Sequence, residues 1–182
     1  MDLVANLEKS RQTDKDQFIR PHHHPFYWYS MSEKATILAE QLEWAVGSLV
    51  RACGELGEEE YKWKPTEVSN SVQWQLNHIS RIINVALPRL IKGVAEYTPE
   101  DWPEDYREQD YHLDKLMSDI QKGKEKSIKK LKKLPNEAMD EEIPLWGGTK
   151  LRKEGLFAYI GEVYHHKGQV AYIRGTYKRL NE

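Results

Sequence analysis

The sequence predicts an all-α protein, a four-helix bundle with long crossover connections. Four long stretches of the chain place apolar side chains at alternating steps of three and four residues, which puts each set on one face of a helix. Prolines and glycines gather between these stretches, and no region shows the pattern of a strand-rich domain. Helices of this kind bury their apolar faces against one another, as in a bundle.

Three of the helices have simple boundaries. The first is predicted over residues 32–56, with Ser32 placed to cap its first turn. The third is predicted over residues 110–134. Residues 136–150 contain one proline and two glycines and are expected to form a long crossover with a short extended piece. The fourth helix is predicted over residues 151–180.

The second helix contains a proline. It begins at Ser69 or Ser71, and its apolar pattern continues to about Leu90. Pro88 lies inside that pattern. Because proline has no amide hydrogen and clashes with the preceding turn, we expect a kink or an early end of the helix there.

Residues 1–30 differ in composition from the rest of the chain. They are polar at first and then, over residues 21–29, aromatic and bracketed by prolines. We predict an extension that packs its aromatic side chains on the bundle formed by residues 31–182. The extension also holds three adjacent histidines, for which a surface loop and a role as metal ligand are both open: His22, His23 and His24.

Composition argues against several classes of function. The formal net charge of −2 argues against a general nucleic-acid binder, which would carry a basic excess. The lysines of residues 122–133 are expected to form a solvated helix face. No stretch approaches the ~18 apolar residues of a membrane-spanning helix. The single cysteine, Cys53, cannot form an internal disulfide. We therefore expect a cytoplasmic protein without nucleic-acid or membrane partners.

The fourth helix combines a carboxylate and an imidazole on its apolar face. At about 100° per residue, His166 lies in the middle of a stripe that includes Val163 and Val170. Glu162 precedes it by one turn and points toward the same side, whereas His165 lies at the flank. A carboxylate inside a bundle needs a partner, and a metal ion would satisfy both side chains at once.

A third ligand is available on the second helix. His78 lies beside Ile79 at the edge of that helix's core stripe and is able to face the interior. Together, His78, Glu162 and His166 form a candidate site for one divalent metal ion with open coordination positions. This ligand set suits Zn²⁺, Ni²⁺, Fe²⁺ or Mn²⁺ and does not distinguish among them.

Other interpretations of these residues stay open. His78 can be a hydrogen-bonded residue at the core edge, and Glu162 and His166 can simply bond to each other. Glu162 and His165 also form the Glu-x-x-His unit of carboxylate-bridged di-iron bundles. Such a site requires a second unit of the same kind, which the sequence lacks.

Two motifs carry a resemblance to a known family. Residues 71–79 read Ser-Val-Gln-Trp-Gln-Leu-Asn-His-Ile, and residues 165–169 read His-His-Lys-Gly-Gln. They resemble the helix-two and last-helix motifs of the DinB-like (YfiT-like) superfamily of metal-dependent four-helix bundles. The order of the elements is also similar, over roughly residues 32–180.

The resemblance implies a ligand set with one departure from the family pattern. The family has one ligand histidine on helix two and a His-x-x-x-His pair on the last helix. By position these correspond to His78, to residue 162 and to His166. Glu162 stands where the family has a histidine, so the resemblance implies a metal site with an added negative charge.

The resemblance also implies a class of activity. Characterised members are thiol S-transferases and a thiol-dependent maleylpyruvate isomerase, others are only candidate hydrolases, and many are homodimers. The resemblance thus implies a metal-dependent transferase or hydrolase that acts on a small molecule, with a low-molecular-weight thiol as candidate partner and a second copy of the chain in a homodimer.

Two further interpretations of the function are open. One is a non-catalytic metal-binding or ligand-binding bundle, or a stress-related one. The other is an interaction protein whose site is degenerate. No general base can be named from the sequence, and three polar residues are candidates only because they lie near the ligands: Tyr164, His165 and Gln169.

Overall fold

The computed structural model describes residues 32–181, so the predicted extension of residues 1–30 lies outside it. The described chain forms seven α-helices and one two-stranded sheet. In chain order these are α1 (Glu33–Ala52), α2 (Glu58–Lys62), α3 (Val72–Arg81), α4 (Leu87–Lys92), α5 (Leu113–Leu131), α6 (Asn136–Met139), β1 (Glu142–Leu145), β2 (Gly148–Leu151) and α7 (Arg152–Asn181). None of the helices within residues 32–181 is long and apolar enough to cross a membrane.

The long helices pack as the predicted four-helix bundle. Helix α1 packs against α5 and α7, and α3 packs against the same two helices. Helix α7 therefore has α1 on one side and α3 on the other. The core between the four helices is apolar and includes Leu42, Leu49, Leu76, Ile79, Leu116, Ile120, Val163 and Val170.

Serine side chains cap two of the helices, as predicted. The Ser32 hydroxyl accepts a hydrogen bond from the Ala35 amide at 3.2 Å. The Ser71 hydroxyl accepts one from the Trp74 amide, also at 3.2 Å. Each bond satisfies an amide of the first turn that has no partner inside the helix.

The early end expected near Pro88 is not observed. The helix continues through the proline to Lys92, with a π-helical turn, Ile82–Ala86, just ahead of it. In this turn the Leu87 amide donates to the carbonyl of Ile82, five residues back. The proline has no amide to offer to the preceding turn, and a wider π turn accommodates both the missing donor and the ring.

A β-hairpin occupies the crossover in which a short extended piece was predicted. Strands β1 and β2 pair antiparallel, with Leu145 opposite Gly148. The two residues between them, Trp146 and Gly147, have positive φ angles of 51° and 76°. A two-residue hairpin turn of type I′ requires this conformation at both positions. The tryptophan ring is thereby held at the tip of the hairpin.

Helix α5 is shorter than predicted, Leu113–Leu131 instead of residues 110–134. Two side chains hold the preceding connection in place. The Tyr61 hydroxyl donates to the Tyr111 carbonyl at 2.7 Å, and the Gln73 amide donates to the same carbonyl at 3.1 Å. Both donors are distant in sequence, so the periodicity of the helix could not indicate this boundary.

A buried arginine ends α1 at Ala52, before the predicted end at residue 56. Arg174 of α7 donates to the two carboxylate oxygens of Glu60 at 2.6 and 3.2 Å. It also donates to the carbonyls of Ala52 and Gly54. Arg174 and Glu60 are only 9% and 6% exposed. The guanidinium thus supplies donors for carbonyl groups that the end of a helix leaves without partners.

Removal of Arg174 is expected to destabilise the bundle strongly. Arg174→Ala would leave the Glu60 carboxylate buried without its partner and should lower the free energy of unfolding by about 3–5 kcal/mol. Urea denaturation followed by circular dichroism measures this change. Arg179→Ala, on an exposed part of the same helix, is the control and should change it by less than about 0.5 kcal/mol. Equal losses in the two variants would contradict the role given to Arg174.

Candidate metal centre

The structure brings the three predicted ligand residues together. His78 comes from α3, and Glu162 and His166 come from adjacent turns of α7. One ligand atom from each residue lies within 4.8 Å of the other two. Two ligands of one ion are typically about 3.3 Å apart when each lies about 2.0 Å from the metal. The three side chains are close enough to hold one ion after small rotations.

The two residues of α7 differ in their exposure. The His166 Nε2 atom lies 3.3 Å from the Glu162 Oε2 atom, and the two side chains are 9% and 50% exposed, respectively. Glu162 was expected to share the interior with His166, but it lies at the solvent edge of the cluster. Its position about 40° to one side of the apolar stripe accounts for this difference.

A buried amide that the sequence analysis did not single out orients His166. Gln75 is 2% exposed, and its Oε1 atom lies 2.6 Å from His166 Nδ1. Because the amide oxygen can only accept, the proton of the neutral imidazole lies on Nδ1, and the lone pair of Nε2 faces Glu162. A hydrogen bond of this kind usually orients a metal-binding histidine. The sequence feature that could have indicated this role is the position of a glutamine within the apolar stripe of α3.

The His78 ring packs against two other rings. Trp74 stacks on it, with ring centroids 5.3 Å apart and an interplanar angle of 11°. The His166 ring lies 4.5 Å from His78 at 69° and 6.2 Å from Trp74, so the three rings form one cluster. Trp74 lies one turn before His78 on α3 and lines a cavity beside it. The stack restricts rotation of the imidazole and keeps it near the α7 pair.

The surroundings keep both imidazoles uncharged at neutral pH. Burial, with smaller contributions from the nearby His166 and Arg107, lowers the pKa of His78 to about 4, against the opposing effect of the Glu162 carboxylate. Burial also lowers the pKa of His166, against the opposing effect of the Glu162 carboxylate. A neutral imidazole is the form that binds a metal ion.

Two cavities open onto His78 from different sides. One, of about 280 Å³, has polar and charged groups in its lining: Trp74, Asn77, His78, Arg107 and Glu108. The other, of about 260 Å³, has more apolar residues in its lining and reaches the hairpin tip: His78, Ile82, Trp146, Ala158, Tyr159 and Glu162. Neither Arg107 nor Trp146 could be predicted from helix periodicity, because each lies in a connection between helices.

A comparison with known protein families decides the relationship of this chain. The family model of the DinB superfamily matches residues 41–170. The chain belongs to the DinB superfamily. This result confirms the resemblance drawn from the two motifs, which both lie within the matched residues.

Two solved structures share the DinB fold seen here. A DinB-like protein from Bacillus subtilis superposes with a TM-score of 0.60 and 17% identity, over 78% of this chain and 92% of that one. A conserved protein from Enterococcus faecalis superposes with a TM-score of 0.60 and 18% identity, over 80% of this chain and 96% of that one. Similarity at this level of identity establishes the fold. No curated protein matches the chain.

Two neighbouring residues of this DinB-superfamily chain do not join the cluster. The Tyr164 hydroxyl donates to the Gln41 carbonyl of α1 at 3.1 Å, on the other side of α7. His165 pairs with Gln169 at 2.8 Å in an exposed position. Among residues 32–181, no second group of three ligand-type side chains accompanies the first, which gives no support to a di-iron site. His22, His23 and His24 lie outside the described residues.

In metal-free protein, His78 should remain neutral down to about pH 4. The unfolded chain protonates this group near pH 6.5, so it binds more protons than the folded state between the two values. The contribution of His78 to stability is therefore fully present above pH 6.5 and is lost as the pH falls toward about 4. An NMR titration of the imidazole carbons, assigned with a His78→Asn variant, measures this. Titration near pH 6.5 would contradict the burial of the ring.

Proposed function

We propose that this DinB-superfamily protein binds one divalent metal ion through His78, Glu162 and His166. The contact of Gln75 with His166 Nδ1 carries the proposal, because it turns the Nε2 lone pair toward Glu162. The Nε2 atom and a carboxylate oxygen are then two acceptors facing each other across 3.3 Å. Such a pair is repulsive unless a proton or a cation lies between them. Burial lowers the pKa of His166 and so disfavours the proton, and His78 offers a third acceptor near the same point.

The ligand types also fit a divalent ion. Two imidazoles and one carboxylate form a set that transition metals accept, and three protein ligands leave coordination positions open. When bound, such an ion supplies Lewis acidity to whatever occupies those positions. The half-exposed position of Glu162 allows its carboxylate to move toward the ion without the loss of a buried contact.

We propose further that the protein is a metal-dependent enzyme that acts on a small molecule. The cavities of about 280 and 260 Å³ on either side of His78 support this proposal, since they are large enough for a few chemical groups beside the ligands. Arg107 offers a cation in one cavity, and Trp146 with Tyr159 forms an aromatic wall in the other. A small molecule with one anionic part and one apolar part would match the chemistry of both cavities.

A thiol S-transferase or a hydrolase is the reaction class that superfamily membership favours. A low-molecular-weight thiol would come from solution rather than from the chain. Cys53 is buried at the end of α1, away from the candidate ligands, and burial raises its pKa to about 11. It is therefore protonated at neutral pH and unsuited to act as the nucleophile.

A non-catalytic metal-binding bundle is the second candidate. One observation favours it: Tyr164 and His165, the polar neighbours on α7, make contacts away from the cluster. The two candidates are distinguished by a screen of the metal-loaded protein for thiol transfer to electrophiles and for hydrolysis of esters and amides. Metal binding with no turnover, across both substrate classes, would favour the second candidate.

Protein purified without an affinity tag should contain one divalent ion for each chain, and His166→Ala should lose it. Plasma mass spectrometry measures the metal content, and titration calorimetry with Zn²⁺ and Ni²⁺ measures the affinity. His165→Ala is the matched control, because this neighbouring histidine lies outside the cluster. It should retain wild-type affinity, whereas His78→Ala should bind at least about tenfold more weakly. Wild-type protein that stays empty with Zn²⁺, Ni²⁺, Mn²⁺ and Fe²⁺ would refute the proposal.

Gln75 should control metal affinity through the orientation of His166. Gln75→Leu removes the acceptor for Nδ1–H and is expected to weaken binding by about 10–100-fold. Gln75→Glu keeps an acceptor at the same place and should retain most of the affinity. Competition with a chromogenic chelator measures both variants. A Gln75→Leu protein with reduced thermal stability but unchanged affinity would show that the residue has only a packing role.

A further inference from the structure

A groove lies between α1 and α7, on the side of α7 opposite to the candidate metal centre. Its volume is about 560 Å³, and most of its surface is contributed by apolar groups and lysine side chains: Lys34, Ile37, Leu38, Gln41, Lys153, Glu154 and Phe157. The Ile37 and Phe157 side chains are strongly exposed there, 55% and 65% respectively. Two large apolar groups facing water across one groove indicate a surface that another segment covers.

The charged groups at the edge of this groove already have partners, and Glu154 accepts a hydrogen bond from the Leu151 amide at 3.3 Å. Lys34 binds the Asp140 carboxylate at 2.6 Å, and Lys153 binds the other oxygen of the same carboxylate. The ammonium groups are therefore directed to Asp140, and an occupant of the groove meets apolar side chains and lysine methylenes. The chemistry suits a segment that is aromatic and carries no carboxylate or ammonium group of its own.

The chain has such a segment directly before α1. Residues 21–31 contain no aspartate, glutamate, lysine or arginine, and residues 26–29 are four consecutive aromatics, Phe-Tyr-Trp-Tyr. This segment lies outside the described residues and joins them at Ser32, two residues before Lys34 at the edge of the groove. This aromatic segment is therefore connected to the described structure directly beside a groove of matching chemistry.

The distances allow the segment to fold back. Three extended residues, from Tyr29 to Ser32, span up to about 10 Å. The rise along α1 from Ser32 to Ile37 is about 7.5 Å at 1.5 Å per residue. An aromatic ring from residues 26–29 can therefore reach both Ile37 and Phe157. The covalent connection also gives the segment a high effective concentration at the groove, which a separate molecule would not have.

We propose that residues 26–29 dock in the groove between α1 and α7 and cover Ile37 and Phe157. The docked segment would tie the start of α1 to α7 through apolar contacts at the end of the bundle near β2. This proposal is independent of metal binding, since none of the residues that line the groove belongs to the ligand cluster.

Limited proteolysis of the full chain tests the proposal. Chymotrypsin cleaves after aromatic residues, so the rate of cleavage within residues 26–29, identified by fragment mass, measures how often the segment is released. Phe157→Asp places a charge in the groove and should raise that rate by about tenfold, the effect of losing one buried aromatic contact. Ile37→Asp, from the α1 side, should act in the same direction.

Tyr172→Asp is the matched control. Tyr172 is an aromatic residue of α7 that is 68% exposed but does not line the groove. Its substitution should leave the cleavage rate at the wild-type value, with all three variants melting near the wild-type temperature. Light scattering of the same samples tests the alternative occupant, a second copy of the chain. Equal cleavage of wild type and Phe157→Asp, or a dimer that Phe157→Asp dissociates without faster cleavage, would overturn the proposal.

Discussion

The bundle depends on three buried polar side chains of α7, each of which must find a partner on another element. Arg152 donates to the carbonyls of Leu90 and Ala138, at 3.1 and 2.8 Å. His166 meets the amide of Gln75, and Arg174 binds Glu60 and the end of α1. An unpaired polar group in an interior costs more free energy than a typical apolar contact contributes. Because the three partners lie at different heights along α7, they permit only one register of this helix against the others.

The candidate metal centre is a consequence of that register. Gln75 and His78 are three residues apart on α3, so the helix that positions the acceptor for His166 also positions the third ligand. Trp74 restricts the ring of His78 from the solvent side. Only Glu162 is free to adjust, because its side chain is half exposed. The glutamate in place of a histidine adds a negative charge to the ligand set, and its carboxylate can bind through one oxygen or two, a choice that histidine does not offer.

Helix α7 presents different chemistry to its two neighbours. Toward α3 it offers ligand-type groups between two small cavities, and toward α1 it offers an apolar groove with Phe157 at its edge. Tyr164 lies on the α1 side with the groove, where its hydroxyl donates to the Gln41 carbonyl. A change on one face therefore does not require a rearrangement on the other. The candidate metal centre and the proposed docking of residues 26–29 therefore do not depend on each other.

The sequence alone determined the four long helices, two serine caps and the three candidate ligands. Apolar periodicity, capping and an i, i+4 pair are short-range features, so residues within one or two turns suffice to specify them. Tertiary structure decided the features that depend on residues distant in sequence, such as the ends of helices and contacts between them. The Tyr61 and Gln73 contacts with Tyr111 shorten α5, and Arg174 ends α1. The Gln75 contact with His166 joins residues 91 positions apart. No local pattern encodes such pairs, because they form only when buried polar groups on separate helices must satisfy one another.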